Sequence, residues 1–327
     1  MFEYDSIVGE EERKSFAQLI SGYRRITVIS HINPDPDAIG TSLGIAHILA
    51  REGWKVEVVN LSGNLPGYMD FVVGFDKIGK RIKYSDSLLI SCDCGSLDRL
   101  GLDDISMRTL VNIDHHPSNT MFAHLNIVAP EAASSSVVAA ALLQPLYGLD
   151  RESSTAFYAA LLADTKSFTT SSVGRETFLI AAGLIEEGCD PYLVARNLTK
   201  RRSLASMRIL GRALDYLRLR LEGRVALVVL DEKDMQECGA EYSDLEGIAD
   251  TACSLASVEI GLLLVRRKNE CRISMRSKGV DISVVSEKYG GGGHRVAAGF
   301  TLAPDECRDI EKRLLSDMER VLKKEFE

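Results

Sequence analysis

Apolar positions in the first half of the chain fall into short β-branched runs separated by stretches with helical spacing. Arg25-Ile-Thr-Val-Ile-Ser30 reads as a buried strand without breakers. Similar runs predict strands at 55–60, 87–92, 110–113 and 123–128. Helical spacing covers 10–22, 38–52, 134–147, 153–162 and 176–187, and serines near 134 can cap the third of these. Strands alternating with helices predict an α/β fold with a doubly wound, mostly parallel sheet.

The pattern changes after Gly188-Cys-Asp-Pro191, which breaks the preceding helix. Residues 191–203 carry Arg196, Lys200, Arg201 and Arg202 and read as a basic, partly helical connector. Beyond it the expected order is a helix (204–221), a strand (225–230), a helix (244–256) and a strand pair (258–267 and 271–276). A helix (281–288), a glycine run, a strand (299–302) and a terminal helix (304–326) complete it. The expectation is a catalytic domain over 1–190, the connector, and a smaller α+β domain over 204–327.

Composition narrows the class. The chain has 327 residues, enough for two cores, and its 45% hydrophobic and 26% charged content is that of a water-soluble globular protein. No apolar run reaches membrane-spanning length, and Met1–Ser6 does not open a secretion signal. Seven cysteines without paired spacing suggest reduced thiols and a cytoplasmic location. Net charge is −8, with −10 in residues 1–190 and +2 in the remainder. Such a balance disfavours long duplex as a partner and permits a short anionic ligand.

The candidate chemistry sits where the predicted strands end. His31, Asp35 and Asp37 follow the first strand, in a loop stiffened by Pro34 and Pro36. Asp93 ends the third strand, Asp114-His115-His116 ends the fourth, and Asp164 closes an apolar helix. Parallel strands bring their C-terminal ends to one edge, so these groups can converge. Clustered carboxylates repel one another unless cations intervene, and two divalent ions would serve. Carboxylate and imidazole ligands without thiolate favour Mn²⁺, with Mg²⁺ or Fe²⁺ compatible. Cys92 and Cys94 flank Asp93; strand alternation would place both on the face opposite it, as small buried hydrophobes.

His31-x-Asn-Pro-Asp35-x-Asp37-Ala-x-Gly, Asp93, Asp114-His-His116, Asp164 and the distal Gly-Gly-Gly-Gly-His294 together resemble the DHH phosphoesterases of the DHH/DHHA1 type. The segment Ser-Met-Arg276-Ser-Lys278, with the tail Gly-Gly-Gly-Gly-His-Arg295-x-Ala-Ala-Gly, is most similar to the nanoRNase/pAp-phosphatase group. The resemblance spans nearly the whole chain. It implies one metal on His31, Asp35 and Asp93, and a second on Asp37, Asp93, His115 and Asp164, with Asp93 bridging. It implies His116 as a partner of the reacting phosphate and Asp114 as the group that orients it. Arg276, Lys278, Gly291, Gly292, Gly293, His294 and Arg295 would hold the substrate in the second domain.

The implied activity is two-metal hydrolysis of short oligoribonucleotides and 3′-phosphoadenosine 5′-phosphate (pAp), in a cleft between the domains. Alternatives are a phosphodiesterase for pApA, pGpG or c-di-AMP, and a catalytically idle nucleotide-binding regulator. Partners would be short RNA or nucleotides, not membrane, and a homodimer is left open. One departure stands out: the family usually has Thr-Asp-Thr-Gly at the last acid, where this chain has Ala163-Asp-Thr-Lys166.

Overall fold

The computed structural model describes residues 6–102 and 108–324. Met1–Asp5 and the last residues of the expected terminal helix, 325 and 326, lie outside that range, as do 103–107. The chain divides into two compact units, Met1–Arg201 and Arg202–Glu327.

In the first unit α1 (Glu10–Ser21) leads into β1 (Arg25–Ser30), α2 (Pro36–Arg51) and β2 (Lys55–Val59). Then come β3 (Leu88–Cys92), β4 (Leu110–Asp114) and β5 (Leu125–Val128). Four helices follow: α3 (Ser135–Tyr147), α4 (Arg151–Asp164), α5 (Arg175–Glu186) and α6 (Pro191–Thr199). The strands form one sheet in the order β2-β1-β3-β4-β5, all parallel. Strand order reverses between β1 and β3, and the crevice beyond such a reversal is where open α/β sheets bind ligands.

Apolar residues of β1, β3 and β4 pack with α2, α3 and α4 in the main core, which includes Ile26, Val28, Ile39, Ile48, Val138 and Phe157. Gly40 and Gly44 allow the close approach of α2 to α4, since a Cβ on Gly40 would lie 2.6 Å from the Ala156 carbonyl. A smaller cluster of Ile29, Leu89, Leu100 and Leu110 is covered by loops and short turns. The predicted parallel α/β architecture is borne out.

The second unit contains α7 (Leu204–Asp215), β6 (Arg218–Arg220), β7 (Val225–Asp231), α8 (Glu232–Cys238) and α9 (Ile248–Cys253). It continues with β8 (Ile260–Arg266), β9 (Cys271–Ser277), α10 (Ser283–Lys288), β10 (Gly292–His294), β11 (Ala297–Leu302) and α11 (Ile310–Leu322). Its sheet runs β10-β11-β9-β8-β7-β6; only β7 and β8 pair in parallel. Each face carries its own apolar cluster, so this is the expected smaller α+β unit.

Several local expectations change; the expected helices 244–256 and 304–326 shorten to Ile248–Cys253 and Ile310–Leu322. The helix expected to reach 221 stops at Asp215 because the chain turns back through Leu221, Glu222 and Gly223, all at positive φ, to pair β6 with β7. Cys271 and Cys307 are joined by a disulfide, with Cα atoms 6.0 Å apart, so not all seven thiols are reduced. The other five cysteines are free and buried. Among the described residues, no helix is long and apolar enough to cross a membrane.

Candidate metal centre

The candidate ligands are delivered by strand ends and helix termini. His31 follows β1 and is buried. Asp35 caps α2, accepting the Ala38 N–H at 3.0 Å, and Pro36 opens that helix, where its missing N–H and fixed φ are tolerated. Asp37 is therefore in the first helical turn rather than in the loop, and it is 1% exposed. Asp93 follows β3, Asp114 ends β4, and Asp164 is the last residue of α4.

These side chains converge in two groups, His31/Asp35/Asp93 and Asp37/His115/Asp164; within each group one ligand atom per residue lies within 4.8 Å of the others. Asp93 also groups with His115 and His116. Nε2 of His115 is 3.6 Å from Asp164, 3.7 Å from Asp93 and 4.0 Å from Asp37. Nε2 of His31 is 3.6 Å from Asp93. These separations are long for hydrogen bonds. Two ligands each about 2.1 Å from one ion lie about 3–4 Å apart, so the spacing suits a shared cation.

The imidazole tautomers agree. His115 Nδ1 donates to the Ala132 carbonyl at 3.1 Å, and His31 Nδ1 donates to the Ile32 carbonyl at 2.8 Å. A carbonyl only accepts, so each Nδ1 carries the proton and each Nε2 turns a lone pair toward carboxylates. Lone pairs aimed at anions in a buried cluster require a proton or a metal ion between them. The donor set thus fits one or two divalent cations.

Titration behaviour follows from the same crowding. Burial pushes the Asp164 carboxyl up to about 7, and the charges of Asp93 and Asp35 add to it. Burial, then Asp93 and Asp164, hold Asp37 well above the usual carboxylate range. Asp93 moves the other way: burial opposes its ionisation, but His31, His116 and His115 outweigh it and hold it far below that range. Burial also opposes charge on His116. Its bond to Asp114, Nδ1 to Oδ1 at 2.7 Å, and the Asp93 charge nevertheless raise it to about 9.

Several supporting residues carry no sequence signal of this role. Ser135, fully buried at the start of α3, donates its hydroxyl to Asp93 at 2.9 Å and its backbone N–H to Asp37 at 2.7 Å. Thr41 donates to Asp37 at 3.1 Å, one helical turn along α2. Asn119 donates to Asp114 at 2.5 Å and to the Cys94 carbonyl at 3.2 Å. A run of serines before an apolar helix reads only as a cap, and Ser134 is that cap.

Asp93 itself has φ +56, outside strand geometry. The reversal corrects the expectation for its neighbours. Cys92 packs into the main core and Cys94 into the small cluster with Ile29 and Leu100, so the two thiols are not on one face. After Asp164, Lys166, Ser167 and Phe168 have φ of +46, +60 and +64, three successive left-handed residues. Glycine is at ease in that conformation, and Lys166 adopts it in the position of the family's usual glycine.

In the second unit the expected glycine cradle is a hairpin. β10 pairs with β11 around Arg295 and Val296, both exposed. A Cβ on Gly291 would lie 2.4 Å from the Gly299 carbonyl, and one on Gly293 2.5 Å from that of Ala297. Close backbone packing therefore accounts for both glycines. Gly292 has open space around it. Arg276 pairs in register with Ala297, which also faces His294 across the hairpin, so the two basic residues flank one position. The Arg276 guanidinium bonds Asp250 at 3.1 Å, and Lys278 donates to the Leu255 carbonyl at 2.6 Å.

Comparison with known proteins agrees with this architecture. Residues 25–164 match the DHH family, N-terminal domain, and residues 225–323 match the DHHA1 domain. The chain is 25% identical over 309 residues to a probable bifunctional oligoribonuclease and PAP phosphatase NrnA of Streptococcus mutans, covering 92% of this chain and 97% of that protein. It is 26% identical over 311 residues to the Bacillus subtilis bifunctional oligoribonuclease and PAP phosphatase NrnA, with 93% and 96% covered. Its fold superposes on an exopolyphosphatase-related protein from Bacteroides fragilis with a TM-score of 0.89, at 24% identity, covering 97% of this chain and 99% of that one. The chain belongs to the DHH family of phosphoesterases and carries the DHHA1 domain as its second unit.

Proposed function

We propose that this chain hydrolyses short oligoribonucleotides and pAp at a centre of two divalent cations, with Mn²⁺ the ion to try first. The observation that carries the proposal is the pair of ligand groups, His31/Asp35/Asp93 and Asp37/His115/Asp164, with Asp93 close to His115 as well. Near-full-length similarity to proteins named oligoribonuclease and PAP phosphatase supports the substrate class.

In this reading His31, Asp35 and Asp93 hold one ion, and Asp37, Asp93, His115 and Asp164 hold the other. Bound divalent cations would supply Lewis-acid stabilisation of the charge that develops on the phosphoryl group. The chain's own residues do the rest. Ser135 and the N-terminus of α3 fix Asp93 and Asp37, so the carboxylates are placed before anything binds. Asp114 holds the Nδ1 proton of His116, which leaves the Nε2 proton as the one that His116 gives to a phosphoryl or leaving oxygen. Arg276, Lys278, Gly291, Gly292, Gly293, His294 and Arg295 remain the candidates in the DHHA1 unit for holding the nucleotide.

A substrate panel with Mn²⁺ tests this: pAp, pApA, pGpG, c-di-AMP, a short and a long RNA, and pyrophosphate. Phosphate release from pAp together with mononucleotides from short RNA is the expected result. Activity confined to one dinucleotide would reassign the protein to messenger turnover, and no activity on any substrate would favour the idle regulator.

A further inference from the structure

Arg99 lies in the 3₁₀ turn Leu97–Leu100 that follows Asp93. Its carbonyl accepts the Ile32 N–H at 2.8 Å, which ties this turn to the loop carrying His31 and Asp35. Gly101 makes the tie feasible. It has φ +67, and a Cβ there would lie 2.8 Å from Cγ2 of Ile32. The backbone of Arg99 is thus held against the ligand loop.

The guanidinium is placed as closely. Nη2 of Arg99 stands 3.4 Å from Nδ1 of His31. This is not a hydrogen bond, because the Nδ1 proton already goes to the Ile32 carbonyl at 2.8 Å. Two donors therefore face each other. Among the described residues no carboxylate lies within ion-pair distance of Arg99, and its side chain is exposed. An exposed guanidinium 3.4 Å from a candidate metal ligand, with no carboxylate among the described residues at ion-pair distance, is positioned to receive an anion from solution.

Charge balance says which anion. Asp35, Asp37, Asp93 and Asp164 carry four negative charges when ionised, and two divalent cations cancel them. A further cation at the rim, beyond the charge that those carboxylates neutralise, adds attraction for an approaching phosphate. The planar guanidinium fork matches two phosphate oxygens at once. We propose that Arg99 binds a phosphate of the substrate at the edge of the metal centre, donating its N–H groups to the non-bridging oxygens. This rests on the metal-dependent phosphoesterase reading. The rival role, in which Arg99 only tunes His31, would change metal affinity instead.

The test uses the full chain and its Arg99→Gln and Arg99→Lys variants, with inorganic phosphate as the probe. Calorimetry measures Mn²⁺ affinity first, and then phosphate affinity of the Mn²⁺-loaded protein. In Arg99→Gln the phosphate Kd should rise roughly 10- to 100-fold, and less in Arg99→Lys, while Mn²⁺ affinity stays within about twofold. Unchanged phosphate affinity overturns the proposal, as does wild-type protein that binds no phosphate when loaded. A fall in Mn²⁺ affinity as large as the loss of phosphate affinity overturns it too, making Arg99 a positioning residue for His31. Phosphate binding needs no turnover, so a protein inactive on the whole substrate panel would defeat the proposed function and still leave this inference tested.

Discussion

Ser135 donates its hydroxyl to Oδ1 of Asp93 at 2.9 Å. The same residue gives its backbone N–H to Asp37, so one serine orients two carboxylates of the centre. Ser135→Ala removes the hydroxyl and keeps the N–H. It should weaken Mn²⁺ binding roughly 10- to 100-fold, the usual effect of losing a group that orients metal ligands. Calorimetry on a folded variant checks this, and unchanged affinity would show that Asp93 is held without Ser135.

Protons and cations should compete at this centre. Asp164 is raised from 3.8 to about 7, and His116 from 6.5 to about 9. Between each ordinary value and its folded value, the folded chain binds more protons than the unfolded one. Stability therefore falls as pH rises through those windows. Metal-free protein should melt lower at pH 9 than at pH 6, by ~2–4 °C for each kcal/mol lost. Mn²⁺ should restore more at pH 8 than at pH 6, because fewer protons then occupy the carboxylates. Melting curves in chelator that are flat or rising over this range would count against the crowded carboxylate cluster.

Lys166 adopts φ +46 immediately after the Asp164 segment. A non-glycine residue in that region carries a steric penalty of about 1 kcal/mol or more. Lys166→Gly should therefore stabilise the fold by up to ~1 kcal/mol, less what the freer unfolded chain takes back. Chemical denaturation reads this directly. A clear loss of stability would mean that the lysine side chain contributes more than its backbone conformation costs.

The parts of the centre that were legible in the sequence share one property. His31, Asp93 and Asp114-His115-His116 each interrupt or follow an apolar β-branched run, so their polarity stands out at a predictable place on a parallel sheet. Asp164 was visible as an acid closing an apolar helix. Ser135 and Asn119 were not, because a serine at a helix start and an asparagine in a turn have ordinary local roles that hide a long-range one. Arg99 was missed because nothing local shows that its carbonyl is tied to Ile32, some 67 positions earlier.

In the second unit the glycine run was legible as special, but its geometry was not. Gly291 and Gly293 answer to contacts with β11, which lies later in the chain. The bond between Cys271 and Cys307 joins the start of β9 to the segment before α11, and a separation of 36 residues offers no recognisable spacing. Both cases reflect tertiary proximity that local pattern does not encode.

In the proposed function a carboxylate–histidine centre organised by Asp93 binds the metal on which hydrolysis depends. The most direct measurement titrates Mn²⁺ into metal-stripped wild type and Asp93→Ala, following bound metal and phosphate release from pAp in the same samples. Wild type should bind about two ions, with turnover rising as they bind, and turnover should be at least ~100-fold lower in a folded Asp93→Ala variant. Turnover in Asp93→Ala equal to that of wild type would contradict the proposed function.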